Sequence, residues 1–246
     1  MAERDSAAPD PGSAGLLLYC IEHASSTLPD DGLGVRGGGL RRVTHGGLAA
    51  VVSPLEELAW MAAPAAAELL EYERVIRSRH AVADVLPMRF GSVLSGEAAV
   101  HAHLDEQRAT YVSALARVSG CVEMGVRVLV STPPPPAVPE ETAKPVIRSG
   151  TDYLQARRHR YSAENRLRDH CAALERTLLS KVAPLCREHR TELSPPRSDE
   201  PALYSLYFLV PRGEVSAFRA ALSPHSGPEN VNLSLSGPWP PFNFVA

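Results

Sequence analysis

Apolar residues along this chain fall into two kinds of pattern, unbroken short runs and helical recurrences, and their order predicts a mixed fold. Residues 16–21 form an apolar run that reads as a fully buried strand, and 48–52 form a second. Residues 1–14, before the first run, carry no periodicity and are expected to be a disordered leader. The Gly-rich stretch 32–47 separates the two runs. After the second, Ser53 is predicted to cap a helix, with Pro54 at its first position and Glu56 three residues on to return a bond. Leu58, Ala62, Ala65, Leu69, Tyr72 and Ile76 then recur at helical spacing as one apolar face, which Pro64 is expected to break. Residues 85–93 read as an irregular strand, in which Pro87 argues for an edge or a bulge. Val100, Leu104, Tyr111, Leu115 and Val118 share a face of a second long helix, ended by Gly120. With a strand at 126–130, the first half runs β-β-α-β-α-β, an α+β pattern of helices on a small, mainly antiparallel sheet.

The prolines at 133–136, 139 and 145 cannot continue a helix or a central strand, and they predict a semi-rigid spacer. Beyond it, 153–189 reads as one helix, with Leu167, Cys171, Leu174, Leu178, Val182 and Leu185 on one face and a kink at Pro184. Residues 203–210 suit a central strand, and Val215, Phe218 and Leu222 mark a short helix. Residues 231–236 alternate as a half-buried strand, closing a β-α-β unit. The resulting division is a leader 1–14, an α+β domain 15–132, a linker 133–148, a second domain 149–236 and an aromatic, proline-rich tail 237–246. Trp239, Phe242, Phe244 and Val245 in that tail represent about 6–12 kcal/mol of gross burial, so the tail is expected to fold back onto the protein and clamp its domains.

Composition narrows the function. A net charge of −3 gives no attraction to phosphate backbones, which argues against nucleic acid. No apolar run reaches the length of a membrane helix and the start lacks a signal sequence, so a cytoplasmic protein is expected. Cys20, Cys121, Cys171 and Cys186 show no metal or redox spacing and read as reduced core residues. The clusters Gly37 to Gly39 and Gly46-Gly47 lack the lysine of a phosphate loop and read as hairpin turns. His101 and His103 are two apart on a predicted helix and diverge, so they do not form a metal pair. The carboxylate pairs Asp30-Asp31, Glu56-Glu57, Glu140-Glu141 and Asp199-Glu200 suit solvated loops and a helix start. Arg157, Arg158, His159 and Arg160, with Arg166 and Arg168, mostly wrap a solvent-facing helix surface. Neither a nucleophile elbow nor a catalytic cysteine signature is present, so no catalytic residue, metal or cofactor is assigned.

The segment Val85-Leu86-Pro87-Met88-Arg89-Phe90-Gly91-Ser92-Val93 and the tail Gly-Pro-Trp-Pro-Pro-Phe-Asn-Phe-Val are unusual. With Leu18-Tyr19, residues 120–126 and residues 149–154 in this order, they resemble the gas vesicle GvpF/GvpL family from residue 16 to the end. Members usually carry a His-Glu pair in the second helix, where this chain has Tyr72-Glu73. The resemblance implies a non-enzymatic accessory or minor structural protein of gas vesicles, located there and in the cytoplasm. It implies two α+β domains, the second ferredoxin-like, and partners among the very apolar main shell protein and other accessory proteins. A chaperone-like role follows: holding shell subunits by apolar and strand-edge contacts, limiting their aggregation and assisting vesicle assembly. A small-molecule sensor or enzyme on a ferredoxin-like scaffold is the alternative. The structural and interaction candidates are Arg89, Phe90, Gly91, Glu123, Trp239, Phe242 and Phe244, with Arg89 expected to form a buried bridge to Glu123 or Glu73.

Overall fold

The computed structural model describes residues 15–26, 32–130, 150–194, 201–222 and 233–245, and of 150–163 the backbone alone. The leader 1–14, the linker 133–148 and the pairs Asp30-Asp31, Glu140-Glu141 and Asp199-Glu200 lie outside the described residues, as do the side chains of Arg157 to Arg160. The chain divides into two compact units. One comprises the residues up to Glu123 together with Pro238–Ala246, and the other is Met124–Gly237.

The first unit is built on a sheet of β1 (Gly15–His23), β2 (Arg41–His45), β3 (Leu48–Leu55), β4 (Val85–Pro87) and β5 (Val93–Leu94). Its order is β2-β3-β1-β4, with β5 also on β1, and all these pairs are antiparallel. Every residue of β1 from Gly15 to Glu22 is buried, which explains the unbroken apolar run at the sheet centre. β2 and β3 meet at a two-residue turn in which Gly46 and Gly47 have φ of 57° and 85°. This left-handed pair matches the sheet's twist and is the conformation glycine adopts most readily.

Helix α1 (Ala66–His80) packs Tyr72, Val75 and Ile76 into a core with Leu17, Tyr19, Val35, Val51, Leu55 and Val85. Two expectations change here. Ser53 does not cap a helix, because β3 continues to Leu55 and pairs Ser53 with Leu17. Inside the strand the Ser53 hydroxyl meets the buried Tyr19 hydroxyl at 2.8 Å, and Tyr19 also accepts the Val35 N–H at 2.8 Å. Satisfying that phenol outweighs the capping preference. Of the predicted apolar face from Leu58 to Ile76 only Tyr72 and Ile76 are buried, and Leu58, Ala62, Ala65 and Leu69 stay exposed.

The second predicted helix is two, α2 (Glu97–Glu106) and α3 (Arg108–Val118), parted at Gln107. Arg108 at the break donates to the Gly46 carbonyl and to Asp105, both at 2.8 Å, so the break holds the hairpin turn. Strand β6 (Cys121–Val130) begins in the first unit and continues in the second.

In the second unit the sequence of elements is β6, α4 (Gly150–Val182), β7 (Glu188–Ser194), β8 (Ala202–Pro211), α5 (Val215–Ala221) and β9 (Leu233–Trp239). The strand order is β7-β8-β6-β9, so β6 lies between β8 and β9 and splits the expected β-α-β unit. This element order is the β-α-β-β-α-β pattern of ferredoxin-like domains. β8 is internal, as its apolar run predicts. The helix expected to reach residue 189 ends at Val182, because Pro184 closes it in a short turn rather than kinking it. Residues 188–194 are then free to form the polar edge strand β7, paired from Glu188↔Leu209 to Ser194↔Leu203. Leu167, Cys171, Leu174, Leu178 and Val182 of α4 are buried as their spacing predicts. None of the described helices is long and apolar enough to cross a membrane.

Candidate functional site

The distinctive segment 85–93 is a bulge at the edge of the first sheet. β4 and β5 both pair with the edge of β1 that faces away from β3, and between them the Met88 N–H reaches the Tyr19 carbonyl while the Leu18 N–H reaches the Ser92 carbonyl, both at 2.8 Å. Arg89, Phe90 and Gly91 loop outward between these anchors, with Gly91 at a φ of 90° that its missing Cβ makes easy. Tyr72 fixes the loop from beneath. Its hydroxyl points at the carbonyls of Leu18 (2.8 Å), Met88 and Arg89 (both 3.1 Å). Burial pushes this phenol far above its ordinary range, so it stays a donor. Phe90 packs edge-on to Tyr72 and Trp60 at 5.2 and 6.0 Å.

Arg89 overturns its expectation. The side chain is exposed and makes no buried bridge; the bulge turns it outward, and it is the Arg89 carbonyl that accepts from Tyr72 and from Ser92. Glu73 pairs instead with Arg77 at 3.7 Å. The buried arginine is Arg79, 8% exposed, which reaches Glu22 at 3.1 Å while Arg42 reaches the same oxygen at 2.7 Å. Burial raises the Glu22 carboxyl above its usual range against the pull of Arg79 and Arg42. The 72, 75, 76, 79 recurrence on α1 is the signal that could have found Arg79.

Glu123 holds the tail. Its two carboxylate oxygens accept the Asn243 backbone N–H at 2.8 Å and the Asn243 side-chain amide at 2.7 Å. Arg117 donates to the Phe244 carbonyl, and Arg77 lies 5.0 Å from the Trp239 ring centre. Pro240, Pro241 and Phe244 are buried, Trp239 is half-buried and Phe242 is 38% exposed. The tail therefore folds back onto the first unit, with Phe244 as its anchor, and less of it is buried than four full apolar side chains would give.

Several other polar groups among the described residues are paired in ways that serve structure. His45 meets Asp105 at 2.7 Å and stacks on His101 at 4.8 Å, and His103 meets the Tyr111 hydroxyl at 2.6 Å. His101 and His103 thus point to different partners, as their spacing predicts. In the second unit Glu175 joins α4 to the sheet through His189 (3.0 Å) and the Tyr204 hydroxyl (2.8 Å), and the Tyr204 phenol is pushed up to about 12 by burial. Cys20, Cys121 and Cys171 are buried and Cys186 half-buried, all four as free thiols. Burial raises the Cys20, Cys171 and Cys186 thiols, so they are poor nucleophiles.

The bulge and the tail are the features that set this chain apart, and both lie inside the region that matches a family model. That model, Gas vesicle synthesis protein GvpL/GvpF, covers residues 15–246. The chain belongs to the GvpL/GvpF family. It is 30% identical to gas vesicle protein L of Streptomyces sp. (strain CB03234) over 241 residues, covering 89% of this chain and 87% of the relative. It is 28% identical to gas vesicle protein F of the same organism, covering 93% and 98%. Two crystal structures share the fold: GvpF from Anabaena sp. PCC7120 (TM-score 0.70, 19% identity, 95% and 97% of the two chains) and GvpF from Microcystis aeruginosa (0.69, 15%, 95% and 100%). Family membership makes the chain a gas vesicle accessory protein, associated with gas vesicles and their proteins.

Proposed function

We propose that this GvpL/GvpF member is a cytoplasmic assembly factor that binds the apolar main shell protein and other accessory proteins. It limits aggregation of shell subunits and assists nucleation and growth of the vesicle wall. The family match across residues 15–246 carries this reading. A physical requirement supports it: a factor that keeps an apolar subunit in solution has to offer that subunit apolar surface of its own. The first unit leaves Leu58, Leu69 and Leu70 exposed.

Co-expression with the shell protein tests the reading. Affinity capture of the full chain should retain shell subunit, and the pelleted fraction of shell protein should fall when the chain is present. Deletion from a gas vesicle gene cluster should reduce vesicle number. Empty captures together with normal vesicles in the deletion strain would refute the proposal.

A further inference from the structure

Within residues 56–70 Trp60 and Met61 pack against the core, but other apolar side chains of the stretch stay uncovered. Leu58, Leu69 and Leu70 are 45%, 43% and 65% exposed, and Ala62 and Ala66 between them are exposed as well. Soluble proteins seldom leave such a run uncovered. The stretch is firmly held. Arg36 lies 5.3 Å from the Trp60 ring centre, pairs with Glu68 at 3.5 Å, and gives its backbone N–H to Glu71 at 2.9 Å. Glu68 also closes the first turn of α1 by accepting the Ala65 N–H at 2.6 Å.

Within this stretch of sequence the charges have one sign, and Arg36 is a cation that packs on it from outside. No lysine or arginine occurs between Arg42 and Arg74, whereas Glu56, Glu57, Glu68, Glu71 and Glu73 do. Glu68 and Glu71 are turned to Arg36 and Glu73 to Arg77, which leaves Glu56 and Glu57 exposed beside Leu58. The complement of such a surface is an amphipathic helix with an apolar face and a basic flank.

We propose that the surface formed by residues 56–70 docks a helix of that kind from the shell protein, with its apolar face on Leu58, Leu69 and Leu70 and its Lys or Arg flank against Glu56 and Glu57. The choice of partner rests on the function proposed above. The site itself rests on exposure and charge.

Fluorescence anisotropy of the full chain with a labelled amphipathic Leu/Lys helical peptide, and with its Leu/Glu counterpart, tests the surface. The Leu/Lys peptide should bind, and both Leu69→Ser/Leu70→Ser and Glu56→Lys/Glu57→Lys should weaken it about tenfold or more. Added salt should weaken it too. These residues are exposed, so both double variants should melt with the wild type. Equal binding of the Leu/Glu peptide, or unchanged binding in the variants, would overturn the proposal. So would self-association abolished by Leu70→Ser, which would make a second copy the occupant. Capture of shell protein separates the two readings. Capture that survives both double variants refutes this surface and leaves the function standing; peptide binding without any capture of shell protein refutes the function and leaves the surface.

Discussion

Glu22 sits in the central strand with no exposed surface, between Arg42 and Arg79, and it is the residue whose loss the first unit should tolerate least. Glu22→Gln leaves two guanidiniums facing each other without their shared carboxylate and should cost about 3 kcal/mol, read as a lower midpoint in denaturant melts. Asp105 offers a pH test. The Arg108 hydrogen bond, and then that of His45, hold its carboxyl below the ordinary range. A depressed carboxyl contributes stability above its unfolded value and loses it as pH falls through the folded one. Asp105→Asn should therefore melt slightly below wild type at pH 7, with the gap closing below about pH 4. At this scale the sequence was only partly legible. An arginine inside an apolar strand looks buried and one on a helix looks solvated, yet Arg89 is exposed and Arg79 buried. A bulge reverses the direction of a side chain without changing composition, whereas the helical period that buries Arg79 could have been read.

Among the elements, those made of apolar residues were legible and the polar ones were not. β1, β8 and the buried face of α4 follow their patterns, but β2 (Arg41–His45) reads as loop and β7 (Glu188–Ser194) as a helix end followed by loop, because neither carries an apolar run. For β2 the available signal was the Gly46-Gly47 turn, which needs a strand on both sides. That turn gives a graded prediction. Gly47 has open space around it, so Gly47→Ala should cost only the left-handed strain, about 1–2 kcal/mol. At Gly46 an added Cβ would overlap the Arg108 guanidinium, so Gly46→Ala should cost more and also release Arg108 from the turn. Thermal melts of the two variants would order them.

For the molecule as a whole, the tail is the feature on which the first unit's completeness depends. The sequence showed that Trp239, Phe242 and Phe244 required cover but not which of them is the anchor, since burial is decided by partners such as Glu123 and Arg117 more than 100 positions away. Phe244→Ala should cost about 3–5 kcal/mol, and Phe242→Ala less than about 1 kcal/mol. Comparable losses in denaturant melts would show the tail to be anchored otherwise. The order of synthesis gives the tail a further meaning. The chain leaves its first unit after Glu123 and rejoins it at Pro238, so a ribosome has made the whole second unit before the segment that completes the first one exists. A nascent or prematurely terminated chain thus carries an unfilled Phe244 seat and a Glu123 without its Asn243 contacts. The first unit is thus completed only after the second has been made.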